Sequence, residues 1–195
     1  MKRSNLEEKI LETATELFAT HGFVKASIRD IAKQVGGSNS CLYVYFKNKD
    51  EILFRIITDV GAELIRELET VINKHADPVE CLQQMIFTQV LFSMNAAKKM
   101  KIYMEELYQL PPPFKQKALN QHRQIYDLYY EKIYELEKRG LLCPQIDKVV
   151  LTFGIFANMN WVYRWLNPGG RLSTEEVARH MIAMLLRSIL KNPPF

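Results

Sequence analysis

The spacing of apolar residues limits this chain more than any other feature. They return every three or four positions along almost the whole length, and no run alternates with period two. Leu6, Ile10, Ala14, Leu17 and Phe18 form one such stripe, which Gly22 ends beside His21, and Ser4 with Glu7 makes a capping box at its start. Ser27 and Asp30 cap a shorter helix with Ile28, Ile31, Ala32 and Val35 inward, and Gly36-Gly37 then forces a turn. Leu42 and Phe46 mark a third, very short helix. Asn48 with Glu51 caps a fourth, which runs to about His75. Further helices are predicted over 79–96, after Asp77 and Pro78, and over 98–110, stopped by Pro111-Pro112-Pro113. The last three are 114–140, 145–166 and 173–191, the final one opened by Ser173 and Glu176. The fold class is therefore all-α, with about nine helices. An N-terminal three-helix part over 1–50 precedes a helical bundle over 51–195.

Charge and cysteine content narrow the function classes. The net charge of +4 is mild, but from Lys25 to Lys49 five cations (25, 29, 33, 47, 49) face one acid, Asp30. Positive potential is thus concentrated on one small piece. Cys41, Cys81 and Cys143 are scattered, without a CxxC pair or a nearby histidine, which argues against a disulfide scaffold and a structural zinc site. They read as reduced thiols of the cytoplasm. The stretch Val149–Leu166 carries one charge, Arg164, yet Gly154, Asn158 and Asn160 interrupt it and no second span accompanies it. It reads as a helix buried in protein, not in a membrane. The four histidines (21, 75, 122, 180) are isolated, and no HExxH, nucleophile elbow or phosphate-cradling glycine loop occurs, so an enzyme is not expected.

Two brief helices joined by a glycine turn and braced by a longer one make a helix-turn-helix. Its second helix must reach base edges in the DNA major groove, so its leading residues should be short and polar. Ser38, Asn39 and Ser40 meet that need, while Leu42 and Phe46 point into the small core. Tyr43 and Tyr45 carry rings and hydroxyls outward, and Lys49 adds charge beside the free N–H groups that open the fourth helix. Singly, each tyrosine could be an ordinary packing residue and the lysines a solvated loop.

The stretches "ILETATELFATHGF" and "SIRDIAKQVGGSNSCLYVYFKNKDEIL" resemble the DNA-binding domain of the TetR family of transcriptional repressors. The family run Leu-Tyr-x-Tyr/His-Phe-x-x-Lys-x-Glu-Leu stands here as Leu42, Tyr43, Val44, Tyr45, Phe46, Lys47, Asn48, Lys49, Asp50, Glu51, Ile52. The resemblance implies DNA contacts at Ser27, Arg29, Ser38, Asn39, Ser40, Tyr43, Tyr45 and Lys49. Gly37 departs from the apolar residue usual there, and Cys41 replaces a small Thr or Ala. The resemblance also implies a bacterial homodimer, a palindromic operator, a small hydrophobic effector and no cofactor. The last two helices would pair with their symmetry mates through Phe153, Phe156, Ala157, Val177, Met181, Met184, Leu185 and Ile189.

The middle helices are rich in methionine and tyrosine, which suit an effector pocket: Met85, Leu91, Phe92, Met100, Tyr103, Met104, Leu107, Tyr126 and Tyr130. The same residues at helical spacing also suit a plain core. "NMNWVYRWLNPGGRLSTEEVARHMI" resembles regulators of fatty-acid and related acyl-CoA catabolism through Asn160-Trp161-x-x-Arg164-Trp165 and the Pro168-Gly169 turn. That resemblance adds Trp161, Arg164 and Trp165 to the pocket, with Arg123 and Arg171 as further cations for an acyl-CoA phosphate. Two alternatives stay open. The tryptophans could pack a dimer seam with Arg164 paired to a carboxylate. The effector could instead be a bulky planar drug or dye cation held by Glu105, Glu106 or Asp127, in a repressor of an efflux or catabolic operon.

Overall fold

The computed structural model describes residues 5–143, 146–167 and 169–193. The helices are α1 (Asn5–His21), α2 (Ile28–Val35), α3 (Asn39–Tyr43), α4 (Lys49–Lys74), α5 (Pro78–Asn95), α6 (Ala97–Glu105), α7 (Pro112–Lys138), α8 (Lys148–Met159), α9 (Val162–Trp165) and α10 (Thr174–Ile189). A 3-10 turn, Leu107–Gln109, follows α6. Among the described residues the only sheet-like pairing is a single bridge between Leu142 and Leu190.

The helix boundaries follow from local chemistry. Ser27 and Asp30 form the expected reciprocal cap of α2, and Gly36 closes it at φ 80°, where a side chain would be strained. Asn48 Oδ1 accepts the Glu51 N–H at 2.9 Å to open α4, and Ser173 with Glu176 caps α10. The prolines do more than stop the preceding helix. Pro112 opens α7, where the missing N–H has no intrahelical acceptor to lose. The Ser4 cap and the Pro168 half of the Pro168-Gly169 turn lie outside the described residues.

Two expected helices are shorter than their spacing suggests. The 98–110 helix ends at Glu105 and gives way to the 3-10 turn at Leu107–Gln109; Glu106, between them, accepts the Phe23 N–H on its Oε1 at 3.0 Å. The 145–166 helix starts at Lys148, capped by Asp147 Oδ1, and breaks at Trp161 before the single turn of α9.

The chain forms two compact units, one up to Ala62 with Ala97–Gln121, the other Glu63–Ala96 with His122 onward. Helices α4 and α7 each contribute to both. In the first unit α1 packs on α2 and α6, and α2 on α3, around Ile10, Phe18, Ile31, Leu42, Phe46 and Leu53. Here α4 meets α7 at Gly61. A Cβ at that position would lie 2.7 Å from Gln121 Oε1 and 3.3 Å from a Tyr103 ring carbon, so a larger residue would push the Gln121 carboxamide aside. Gln121 Nε2 donates to Thr58 O at 3.1 Å, and Phe54 stacks on Phe114 at 4.4 Å. In the second unit α5 lies against α8, α9 and α10, with Leu82, Met85, Ile86, Val90, Tyr129, Ile155 and Leu186 buried. No helix among the described residues is long and apolar enough to cross a membrane.

Candidate nucleic-acid interface and effector unit

In the first unit Leu42 and Phe46 anchor α3 in the core, which turns the opposite face outward. Ser38, Asn39 and Ser40 are exposed, Ser38 makes no capping bond, and Tyr43 is 54% exposed. Tyr45 is half-buried. The structure thus brings the polar tip and one tyrosine to a common surface. Arg29, Lys25, Lys33 and Lys47 are exposed on the same unit. The Gly37 departure is benign: a Cβ there would meet Cys41 at 3.7 Å, an ordinary contact.

Two of the expected DNA contacts have partners within the protein. Lys49 does not offer a free ammonium. Its Nζ donates to Phe23 O at 2.7 Å, Ala26 O at 2.8 Å and, more weakly, Val24 O at 3.4 Å, and it sits 4.3 Å from the Phe23 ring centre. An ammonium has three N–H donors, and all three are directed at carbonyls of the α1–α2 connection. Ser27 Oγ is likewise engaged, donating to Asp30 Oδ2 at 2.6 Å and accepting the Asp30 N–H at 3.2 Å. The Ser27 bonds hold the Asp30 carboxyl below its ordinary range. Reading the residues missed Val44, which is 78% exposed beside Tyr43 and can meet a thymine methyl. Its signal was its place between two outward aromatics.

The expected effector residues divide between the units. Met100, Tyr103, Met104 and Leu107 belong to the first, where Met100, Tyr103 and Leu107 are buried. Met85, Leu91, Phe92, Tyr126 and Tyr130 belong to the second, with Met85 buried and the others half-buried. Trp161 and Trp165 are 51% and 56% exposed, and the Arg164 guanidinium lies 5.0 Å from the Trp161 ring. All three lie on the surface of the protomer, where the break before α9 turns them outward. Arg123 pairs with Asp127 at 2.7 Å, and Glu106 is engaged by Phe23, which leaves those carboxylates poorly placed for a planar cation.

The expected dimer residues also split. Phe153 (60% exposed), Ala157 and Met184 are on the surface. Phe156 is half-buried; Tyr126 lies tilted against Phe153 at 5.1 Å and stacks on Phe156 at 6.3 Å. Val177, Met181, Leu185 and Ile189 are buried within the protomer, on a helix that packs on α5. Within the protomer they are core: a stripe of period 3.6 marks an apolar face without saying which neighbour covers it.

Comparisons with known proteins bear on this arrangement. Residues 10–56 match the domain family described as bacterial regulatory proteins, tetR family. Residues 75–189 match the tetracyclin repressor-like C-terminal domain. The chain is 25% identical over 191 residues to the HTH-type transcriptional repressor KstR2 of Mycolicibacterium smegmatis, covering 95% of this chain and 91% of the relative. The solved ketosteroid transcriptional regulator KstR2 of Mycobacterium tuberculosis shares the fold, with TM-score 0.90 at 22% identity over 98% of each chain. AibR, solved in complex with isovaleryl coenzyme A and operator DNA, is 26% identical with TM-score 0.87, over 98% of this chain and 100% of AibR.

Proposed function

The chain belongs to the tetR family of bacterial regulatory proteins, which are transcriptional regulators and not enzymes, and from that membership we propose a repressor released by the coenzyme A thioester of an apolar acid. Residues 1–50 read DNA, and 51–195 bind the effector and dimerise. One short reading helix makes few base contacts, so a two-fold dimer occupies a palindromic operator with half-sites about 34–36 Å apart. The exposed tip Ser38-Asn39-Ser40 with Tyr43, standing on buried Leu42 and Phe46, is the observation that carries the DNA reading. Arg29, Lys25, Lys33 and Lys47 hold phosphates. The apolar faces for dimerisation are those of Phe153, Ala157 and Met184, and the exposed Trp161 and Trp165 extend the same kind of surface.

The effector class is supported by AibR, whose complex contains isovaleryl coenzyme A, and by an interior rich in buried methionine and tyrosine. Helix α4 runs uninterrupted from Lys49 to Lys74, from the reading part into the effector part. An effector that binds better to one arrangement of that helix shifts the population away from the groove-matched spacing, and DNA weakens effector binding by the same factor. Fluorescence anisotropy with a palindromic fragment, with and without isovaleryl and longer acyl thioesters, tests this. The palindrome should bind about 10³–10⁷ times tighter than random DNA, and thioester should release it. Equal affinity for random DNA, or thioester binding that leaves operator affinity unchanged, refutes it.

A further inference from the structure

In the second unit the Gln89 carboxamide oxygen is buried without a hydrogen-bond partner among the described residues. Gln89 stands on α5 and is 2% exposed. Its buried polar neighbours behave differently. Ser93 Oγ donates to Gln89 O at 2.7 Å, and Thr152 Oγ1 to Lys148 O at 2.8 Å. Tyr129 OH donates to Met85 O at 3.0 Å and lies 3.9 Å from Met159 Sδ. Met85, Gln89 and Ser93 follow one another at i, i+4 and i+8, so they share one face of α5. Tyr129, edge-on to Phe156 at 5.0 Å, closes on that face one turn from Gln89.

An unpartnered carboxamide in such a setting carries the full desolvation penalty of its oxygen. Methionine has the same length, would carry no such penalty, and already serves at Met85 and Met159. We propose that Gln89 is the polar anchor of the effector site, accepting a hydrogen bond from an O–H or N–H on an otherwise apolar ligand held against Met85, Tyr129 and Met159. This rests on the reading of the second unit as the effector part. Within a thioester the donor has two sources: an amide N–H of the pantetheine arm, or a hydroxyl on the acyl group.

The test is calorimetric titration of full-length wild type and Gln89→Met with isovaleryl-CoA, decanoyl-CoA, 3-hydroxydecanoyl-CoA and decan-1-ol, together with the ligand-free melting temperature. Removing the orphaned oxygen should raise the melting temperature by roughly 2–6 °C while weakening the donor-bearing ligand about 3- to 10-fold. Weakening of all three thioesters assigns the donor to the pantetheine amide, and weakening of the hydroxyacyl thioester alone assigns it to the acyl hydroxyl. If the thioesters bind both proteins alike, Gln89 is no anchor although the effector class stands. If only decan-1-ol binds, and more weakly to the variant, the anchor stands and the thioester class falls. Wild type that binds none of the four overturns both, and a variant that melts lower overturns the anchor.

Discussion

Lys49→Met separates two roles that the same residue could serve. The substitution keeps the aliphatic stem and removes the ammonium that ties Phe23 O and Ala26 O at 2.7 and 2.8 Å, with Val24 O at 3.4 Å. A hydrogen bond to a charged donor contributes about 1.5–3 kcal/mol when buried. Lys49 is only half-buried, so solvent reclaims much of this, and about 1 kcal/mol for each short bond is the reasonable scale. The contact with the Phe23 ring, 4.3 Å away, adds about 0.5–1 kcal/mol. The loss is then about 2–3 kcal/mol, or a fall of about 5–10 °C in melting temperature. Operator affinity should fall too, because the α1–α2 connection no longer holds to the start of α4. The salt dependence decides the cause. A lysine that neutralised a phosphate in each subunit of a dimer would, when removed, flatten the slope of log affinity against log salt by about 1.8. A clasp leaves the slope unchanged. Anisotropy across a potassium chloride series, beside calorimetric melting, reads both quantities. An unchanged melting temperature with a slope shallower by about 2 would show that Lys49 holds DNA and that the clasp is incidental.

Three further outcomes follow from exposure and burial. Tyr43→Ala should weaken operator binding at least about tenfold while changing stability by no more than about 0.5 kcal/mol, since the ring is 54% exposed; anisotropy and thermal melting check it together. Phe153→Glu places a charge on a residue already 60% exposed, so helical content should hold while sedimentation equilibrium shifts towards the monomer and operator binding drops. Burial pushes the His122 imidazole from the ordinary 6.5 down to about 4. The unfolded chain then binds the extra proton first, so the associated stability is complete above pH 6.5 and is lost as pH falls towards 4. By pH 5 the loss reaches about 2 kcal/mol, and His122→Leu should flatten the pH profile of the unfolding free energy, read by denaturant titration, by that amount over this range.

What could be read from the residues was local. Ser27 with Asp30, Gly36, Asn48 with Glu51 and Ser173 with Glu176 all act within four positions, and each closes or opens a helix where its spacing says. The same holds for the exposed tip at Ser38, whose short polar side chains lie between two turns. What the residues did not show involved partners distant in the chain. Lys49 reaches back 23–26 positions to its carbonyls, and Glu106 reaches 83 positions to Phe23. No motif announces such pairs, because any cation or carboxylate at the right place in space would serve. The apolar stripe of α10 is ambiguous for a related reason. Val177, Met181, Leu185 and Ile189 repeat at helical spacing whether α5 or a second subunit covers them.

That distance dependence also changes how the basic N-terminal segment should be counted. Lysines on three different helices donate to backbone carbonyls in the first unit: Lys9 to Val35 O at 3.0 Å, Lys49 to Phe23 and Ala26, and Lys101 to Ala19 O at 2.6 Å. Ala19 and Val35 stand near the ends of α1 and α2, where carbonyls lack intrahelical donors and a cation is favoured. Part of the basic character therefore closes helices, its ammonium groups bonded to backbone carbonyls. Between Lys25 and Lys49 this leaves Lys25, Arg29, Lys33 and Lys47 as exposed cations. With two subunits on a duplex, these four set the slope of log affinity against log salt at no steeper than about −7, whereas counting Lys49 as well would allow about −9.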